Sequence, residues 1–406
     1  MNPLKIVMCA EGARAEMGGV GLVAVPPMAR ALAARGHSVV LEIFGPVIPG
    51  AEDFVTTDAS RAFEQNLVAF TYPARGRYAF APRAVPSVHA HIARADFVML
   101  HSLYSFAVLT GYGAARWHRK KYGLWLHGVL TPFQRTISAG RKKLYNQLAA
   151  NGILNHAAVI FYNAVGERAE TAPLRIAAPS VIIPHGIDLE PFAHLPPRGA
   201  FRRKYLNAFA GPLLLYLGRL NAKKGLDLLA QAMRQVHAKM PAVRLALVGA
   251  GDPPEFAAQV QTWIREANVQ DVVVLPGLLV GQEKLQALAD ADVFVMPSHA
   301  ENFSFAMFEA MAARVPVVIS DTLNFAPMVE RAGAGRVVPR EGSAFARAIM
   351  ELLDAPETRQ AMAARGAQLA AQYSWSAVGK QMERAILAVV QNEPLPRDLV
   401  LGTALS

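Results

Sequence analysis

Two carboxylates in one short segment are the first candidates for chemistry. Glu301 and Glu309 lie in residues 297–321, which read PSHAENFSFAMFEAMAARVPVVISD. Along an α-helix, a separation of eight residues corresponds to a rotation of about 800°. Within one helix the two side chains would therefore lie about 80° apart. We therefore expect Glu301 on a loop and Glu309 in the first turns of the helix that follows. That helix end carries partial positive charge, which predicts a site for a phosphorylated ligand with hydroxyls. The alternative is an ordinary strand-loop-helix-strand unit with two solvated glutamates.

A basic loop follows a strand predicted at 213–217. Residues 218–225 read GRLNAKKG and carry Arg219 and Lys224. Arg can hold one phosphate with its planar fork, and Lys can neutralise another as a point charge. We predict that Arg219 and Lys224 bind the two phosphates of a diphosphate, and we call the pair the diphosphate clamp. The alternative is a solvated basic loop. Gly249 begins a second loop, GAGD, after the strand predicted at 244–248, where backbone N–H groups can approach an anion.

The first half of the chain places glycines and histidines at predicted strand ends. Gly18 and Gly19 follow the strand at 5–10 and can bring N–H groups close to a pyrophosphate. His127 follows the strand at 123–126, and His101 follows the strand at 96–100. Ligands of open α/β sheets bind beyond the carboxyl ends of the strands, so both imidazoles are candidate substrate contacts. A lone His is more often structural. His101 is a candidate only for contact with the second substrate, the acceptor.

Parallel sheets are needed to position these residues. Strand and helix patterns alternate along most of the chain, which is typical of parallel sheets with helices on their faces. Further strands are predicted at 38–44, 67–71, 158–161, 181–183, 272–275, 293–296 and 315–319, and a helix near 58–66. The segment HLPPRGA at 194–200 indicates a linker. We predict an N-terminal domain at 1–195, a second domain at 196–375, and a C-terminal helix and tail at 376–406.

The charge is concentrated in the first half of the 406 residues. The formal net charge is +10, of which residues 1–190 supply +7 (19 basic, 12 acidic) and the remainder +3 (22 basic, 19 acidic). A basic surface suits an anionic membrane or an anionic acceptor, and a solvated face is the alternative. We do not expect nucleic acid as a partner, because no binding module accompanies the charge.

The remaining composition favours a globular protein of a reducing compartment. No run of 18 apolar residues predicts a membrane span, and the N-terminus does not have the pattern of a secretory signal. The single cysteine, Cys9, lies in the first apolar run, where we expect it to be buried. These features predict a cytoplasmic location.

The 297–321 segment resembles the Glu-x7-Glu signature of retaining glycosyltransferases of the GT-B fold, and in detail that of the family 4 group. The chain matches the usual pattern at Ser298, Glu301, Phe303, Glu309, Ala310, Met311, Ala312, Pro316, Val317 and Val318. Ser304 and Arg314 stand where the family has glycine. Residues 218–225 resemble the G-R-L-x-x-x-K-G motif, and residues 126–132 resemble the His-Gly segment. Residues 184–188 resemble the Asn-Gly-(Val/Ile)-Asp turn, with His185 in the asparagine place.

The resemblance implies an α/β fold of the GT-B type, with two Rossmann-like doubly wound domains facing across a cleft and a C-terminal helix that packs on the N-terminal domain. It implies a retaining hexosyltransferase that moves a sugar from a UDP- or GDP-sugar to a hydroxyl of a glycan or lipid-linked glycan, as in polysaccharide or lipopolysaccharide assembly. No cofactor is implied, and we expect independence of metal, because Arg219, Lys224 and the helix N-terminus near Phe305 can neutralise the diphosphate. The enzyme would lie in the cytoplasm, with peripheral contact to the inner face of the membrane.

The resemblance also assigns roles to residues. Arg219 and Lys224 would hold the diphosphate and Glu309 the ribose hydroxyls. Glu301 would hold sugar hydroxyls or support the positive sugar, and His127 would contact the sugar once the cleft closes. The other predicted donor-binding residues are those of the glycine loops and of the segment after Glu301: Gly18, Gly19, Gly249, Asn302, Phe303, Ser304 and Phe305.

Three other functions stay open at this point. A non-catalytic GT-B partner protein would keep the fold and bind nucleotides or sugars. A nucleotide-sugar 2-epimerase shares the two-domain plan, but its carboxylate-rich catalytic loop is not evident. A nicotinamide dehydrogenase would need G-x-G-x-x-G after the first strand, whereas Gly18, Gly19 and Gly21 have a different spacing.

Overall fold

The computed structural model describes residues 2–12, 24–45, 66–76, 78–136 and 145–404. The chain forms two compact units. The first comprises Met1–Gly186 together with Trp375–Ser406, and the second comprises Ile187–Ser374. Gly18, Gly19 and all but the last residue of the helix predicted near 58–66 lie outside the described residues.

The first unit is built on a parallel sheet in which seven strands are described, in the order β3-β2-β1-β4-β5-β6-β7. Several of its central strands are buried throughout, as parallel strands covered on both faces are expected to be. Cys9 in β1 is buried, as predicted. The strands are β1 Lys5–Glu11, β2 Ser38–Phe44, β3 Leu67–Tyr72, β4 Phe97–His101, β5 Tyr122–Trp125, β6 Val159–Tyr162 and β7 Ser180–Ile182.

Helices cover this sheet, and one of them comes from the C-terminus. Helix Trp375–Gln391 packs on helix Val25–Ala33, and a Cβ on Gly379 would lie 2.9 Å from Ala31 Cβ. The Arg35 guanidinium donates to Glu383 Oε2 at 2.7 Å next to this contact. The other described α-helices of the unit are Val85–Ala93, Phe106–Trp117, Pro132–Thr136, Asn151–Asn155, Val165–Thr171 and Arg397–Leu401, and a π-helix spans Asn146–Ala150.

The second unit has a parallel sheet of six described strands, in the order β10-β9-β8-β11-β12-β13. The chain therefore starts in the middle, at β8, adds strands on one side and then crosses to the other. The strands are β8 Leu213–Leu217, β9 Arg244–Val248, β10 Val273–Gly277, β11 Val293–Met296, β12 Val317–Ser320 and β13 Gly335–Val338. The helices are Glu190–Ala193, Ala200–Tyr205, Leu226–Lys239, Phe256–Glu266, Gly281–Asp290, Phe305–Ala312, Ala326–Ala332, Gly342–Asp354 and Pro356–Ala371.

The prediction of two Rossmann-like parallel-sheet domains is confirmed. The described strands coincide with those predicted to within two residues at each end, except for β13, which was not predicted. Helix Ala326–Ala332 before it was not predicted either. Among the described residues, no helix is both long and apolar enough to cross a membrane.

Candidate functional site

The predicted site residues of the second unit lie on loops that leave neighbouring strands. β8 and β11 are adjacent in the sheet, and the strand order reverses between them. Open α/β sheets bind ligands at such a switch point, beyond the carboxyl ends of the strands. The loop after β8 carries Arg219 and Lys224, and the loop after β11 carries Glu301.

The β8 loop is held close to its neighbours by glycine and by backbone hydrogen bonds. Gly225 has a φ of +63°, and a Cβ there would lie 2.2 Å from the Pro297 carbonyl oxygen, so only glycine fits. The His299 amide donates to the Lys223 carbonyl at 2.7 Å. Asn221 Oδ1 accepts from the Lys223 amide at 3.1 Å and caps the 3₁₀ turn that presents Lys224. The two loops therefore form one continuous edge.

Each basic residue of the predicted clamp contacts a carboxylate. Arg219 Nη1 donates to Asp252 Oδ2 at 2.6 Å. Lys224 Nζ donates to Glu301 Oε1, and both side chains are mostly buried. The structure thus brings Lys224 and Glu301 into direct contact, although 77 positions separate them in sequence.

Gly249 has a packing role in this structure. It follows β9 with a φ of +156°, and a Cβ there would lie 1.8 Å from the Gly218 carbonyl oxygen. The Leu220 amide donates to the Ala250 carbonyl at 2.8 Å, and the Asp252 amide donates to the Leu220 carbonyl at 2.9 Å. The loops after β8 and β9 are therefore tied together, and the absence of a side chain at Gly249 permits their close approach.

Glu309 lies on helix Phe305–Ala312 and Glu301 on the loop before it, as the spacing predicts. Lys284, on helix Gly281–Asp290, donates to Glu309 Oε1 at 2.7 Å. Ser304 is the N-cap residue, and its Oγ accepts from the Met307 amide at 3.3 Å. The helix N-terminus and both glutamates therefore belong to one region of the second unit.

The residues between Glu301 and the helix are arranged mainly by packing. The Phe303 ring stacks on Phe308, with centroids 4.6 Å apart and an interplanar angle of 4°. It meets Phe305 edge to face at 5.0 Å. Asn302 Oδ1 accepts from Asn324 Nδ2 at 3.4 Å. These contacts fix the loop on which Glu301 lies.

His127 belongs to the first unit, in a row of three imidazoles. His127 Nε2 lies 3.0 Å from His101 Nδ1, and His127 Nδ1 lies 3.4 Å from His185 Nε2. The ring planes are within 16° of each other, so the rings meet edge to edge in nearly one plane. Each contact needs one N–H and one lone pair, and the tautomers of three neutral rings are therefore coupled.

Burial keeps these imidazoles neutral. It lowers the pKa of His101 from 6.5 to about 3, with a smaller effect from His185. Burial likewise lowers the pKa of His185 to about 3 and that of His127 well below 6.5. His127 has a φ of +52° and Gly128 a φ of +80°. The buried Glu167 stabilises this turn, because its carboxylate accepts from the Gly128 amide at 2.5 Å and the Asn163 amide at 2.7 Å.

Several of these contacts had no clear signal in the sequence. Asp252 is the last residue of the predicted GAGD loop, and nothing in the sequence placed it beside Arg219. Lys284 gave none, because it is one cation on an amphipathic helix. His185 stood out only as the residue in the asparagine place of the turn.

Two family models match the chain, one in each half. Residues 198–369 match the model of the glycosyl transferases group 1, and residues 17–191 match that of glycosyltransferase family 4. The chain belongs to the family 4 glycosyltransferases. The two matches cover most of the chain, and their boundary falls between residues 191 and 198.

Two relatives and one solved structure illustrate the family. A D-inositol 3-phosphate glycosyltransferase of Kineococcus radiotolerans is 31% identical over 255 residues, covering 58% of each chain. A phosphatidyl-myo-inositol mannosyltransferase of Mycolicibacterium smegmatis is 27% identical over 372 residues, covering 88% of this chain and 87% of the relative. The structure of Anabaena Alr3699/HepE in complex with UDP and glucose has a TM-score of 0.74 and 19% identity, covering 95% of this chain and all of the other. The last similarity shows the GT-B fold.

Proposed function

We propose that this family 4 glycosyltransferase is a retaining hexosyltransferase that uses a UDP- or GDP-sugar and a hydroxyl of a glycan or lipid-linked glycan. The observation that carries the proposal is the group formed by Arg219, Lys224 and Glu301 at the switch point of the second sheet. Two cations beside carboxylates suit a ligand that carries both a diphosphate and hydroxyls. The complex of Alr3699/HepE with UDP supports a nucleotide donor, and the mannosyltransferase relatives support a lipid-linked acceptor.

The leaving diphosphate determines the chemistry. As the bond from the anomeric carbon to the phosphate oxygen breaks, negative charge grows on the phosphate and positive charge on the sugar. Arg219, Lys224 and the N-terminus of helix Phe305–Ala312 neutralise the phosphate without a metal ion. The acceptor oxygen bonds to the anomeric carbon on the face that the phosphate leaves, and its proton passes to the departing phosphate. Glu301 supports the positive sugar or holds its hydroxyls, and Glu309 accepts from the ribose hydroxyls.

His127 contributes the sugar contact of the first unit. Both of its ring nitrogens face other histidines, at 3.0 Å and 3.4 Å. To bind a sugar hydroxyl through its ring, His127 must therefore release one partner. The longer contact, to His185, costs less to break. The remaining donor-binding residues of the proposal are the glycines of two loops and the segment after Glu301: Gly18, Gly19, Gly249, Asn302, Phe303, Ser304 and Phe305.

A nucleotide-binding experiment tests the proposal. The thermal midpoint is measured with UDP, GDP and ADP and with their sugars, for the wild type and for the Arg219→Ala and Glu309→Ala variants. Ligand at 100 times its dissociation constant adds about 2.7 kcal/mol to stability, so the wild type should gain several degrees with one nucleotide family. The variants should lose most of that gain. Arg234→Ala is the matched control, because it removes an exposed arginine from helix Leu226–Lys239 and should keep the full gain.

The products separate the proposed activity from its alternatives. Transfer with retention gives a product with the same anomeric configuration as the donor, which the one-bond carbon–proton coupling of the anomeric carbon reports. A donor converted to its epimer without acceptor would indicate a 2-epimerase. Nucleotide binding with neither reaction would indicate a non-catalytic binding protein. No stabilisation by any nucleotide would contradict the proposal.

We place the enzyme in the cytoplasm, at the inner face of an anionic membrane. Residues 97–166 contain eight Lys and Arg and no Asp or Glu. Within this stretch Trp117 is 78% exposed at the end of helix Phe106–Trp117, and Arg116 and Arg119 next to it are exposed. An exposed indole beside cations suits the boundary between lipid headgroups and acyl chains.

Vesicle sedimentation tests this placement. Each cation near an anionic surface contributes about 1 kcal/mol, so joint replacement of Arg116, Arg119 and Lys120 by Gln should greatly weaken binding to vesicles with phosphatidylglycerol. Neutral phosphatidylcholine vesicles should bind both proteins equally weakly. The control replaces three exposed cations of the second unit, Arg234, Lys239 and Arg265, by Gln. Equal loss in both triple variants would show non-specific attraction and contradict the placement.

A further inference from the structure

Three carboxylates contact the basic residues at the candidate site of the second unit. Glu301 accepts a hydrogen bond from Lys224 Nζ. Glu309 Oε1 accepts one from Lys284 Nζ at 2.7 Å, and Asp252 Oδ2 accepts one from Arg219 Nη1 at 2.6 Å. In the proposed function, both glutamates bind hydroxyls of the donor. Asp252 has no such role, and yet it contacts a residue of the proposed diphosphate clamp.

Asp252 is held by the loop after β8 through both its backbone and its side chain. Its amide donates to the Leu220 carbonyl at 2.9 Å, which ties its backbone to the loop of Arg219. Its Oδ2 accepts from Arg219 Nη1 at 2.6 Å and from Asn221 Nδ2 at 3.2 Å. The Asp252 side chain is 22% exposed and the Arg219 side chain 49% exposed. Water and an incoming anion can therefore reach Arg219 while Asp252 stays bonded to Asn221.

We propose that Asp252 competes with the ligand's phosphate for Arg219 and so limits how tightly the nucleoside diphosphate is held. The proposal rests on the proposed function, which places the diphosphate at Arg219 and Lys224. Binding then exchanges one anion for another: the phosphate takes the guanidinium, and Asp252 retains Asn221. Because the ion pair between Asp252 and Arg219 must break before the phosphate can bind Arg219, the exchange weakens binding of the donor and also of the nucleoside diphosphate product. Asp252 thereby assists product release, a step that limits the turnover of many enzymes.

Calorimetric binding of UDP and GDP to the full chain tests the inference. The wild type is compared with Asp252→Asn, Arg219→Ala and the double variant. Asp252→Asn should bind the preferred nucleoside diphosphate about tenfold tighter, because a neutral amide holds the Arg219 guanidinium less strongly than a carboxylate does. In the Arg219→Ala background the same substitution should change affinity less than twofold, because the competition needs Arg219. Glu255→Gln is the matched control: it removes the same charge from an exposed residue three positions away and should stay within twofold of the wild type.

Each outcome has a defined meaning. Equal affinities of wild type and Asp252→Asn, or an equal gain in the Arg219→Ala background, overturn the inference and leave the proposed function standing. Weaker binding by Asp252→Asn, with an unchanged melting profile, also overturns it and makes Asp252 a ligand contact. If neither protein binds UDP or GDP, the proposed function fails together with the inference. A tenfold gain that requires Arg219 supports it.

Discussion

Two residues replace glycines of the family pattern, and the structure gives each a different physical reason. Ser304 has a φ of −103°, which any residue can adopt, and its hydroxyl caps helix Phe305–Ala312. Glycine is therefore not required there. Arg314 has a φ of +59°, in the left-handed region that favours glycine, and its side chain is exposed. Arg314 therefore carries backbone strain that no described side-chain contact offsets.

Replacing Arg314 with Gly should stabilise the protein. The left-handed conformation costs a residue with a Cβ about 1 to 2 kcal/mol, and the greater freedom of Gly in the unfolded chain offsets part of the gain. We expect a net gain of about 0.5 to 1 kcal/mol, measured as a higher thermal midpoint without ligand. Arg331→Gly is the control, because Arg331 is exposed within helix Ala326–Ala332 and glycine there costs about 1 kcal/mol. A loss for Arg314→Gly as large as that for Arg331→Gly would contradict the explanation.

At the scale of elements, the sequence predicted what depends on local pattern. Alternating strand and helix patterns predicted both sheets, and local patterns placed Arg219 and Lys224 on a loop after a strand and Glu301 on a loop before a helix. Their contact follows because β8 and β11 are neighbours in the sheet. Strand order is set by long-range packing, however, and no local pattern encoded it.

The missed elements and partners have the same explanation. β13 is a four-residue strand with the sequence GRVV, and three of its residues are only partly buried. Its glycine and arginine leave only two consecutive apolar residues, which is too short a run to predict a strand. Asp252 and Lys284 contact their partners across 33 and 25 positions, through packing of loops and helices. The row of His101, His127 and His185 likewise needs the ends of three separate strands at one edge. Single residues gave no signal for such pairings.

At the scale of the whole molecule, the two units should respond differently to acid. The first unit contains the row of three neutral imidazoles, in which His101 and His185 are buried and His127 is partly buried, and it also carries most of the excess positive charge. Protonation in the unfolded chain occurs near pH 6.5, but burial lowers the folded pKa of His101 and of His185 to about 3. Between these values the unfolded state binds more protons than the folded state. Stability is therefore complete above about pH 6.5 and falls as the pH decreases toward 3.

We expect acid to destabilise the first unit before any protonation of aspartates matters. At pH 5, the free energy of unfolding should be lower by about 2 kcal/mol for each of His101 and His185, since one pH unit corresponds to about 1.4 kcal/mol per proton. Melting curves at pH 7.5, 6.5, 5.5 and 5.0 measure this loss. His185→Asn restores the asparagine of the family turn. This variant should lose less stability between pH 7.5 and pH 5.0 than the wild type, by the contribution of one imidazole. His194→Asn removes an exposed histidine and should melt in parallel with the wild type. If His185→Asn also runs parallel to the wild type, the row of imidazoles is not what makes the first unit sensitive to acid.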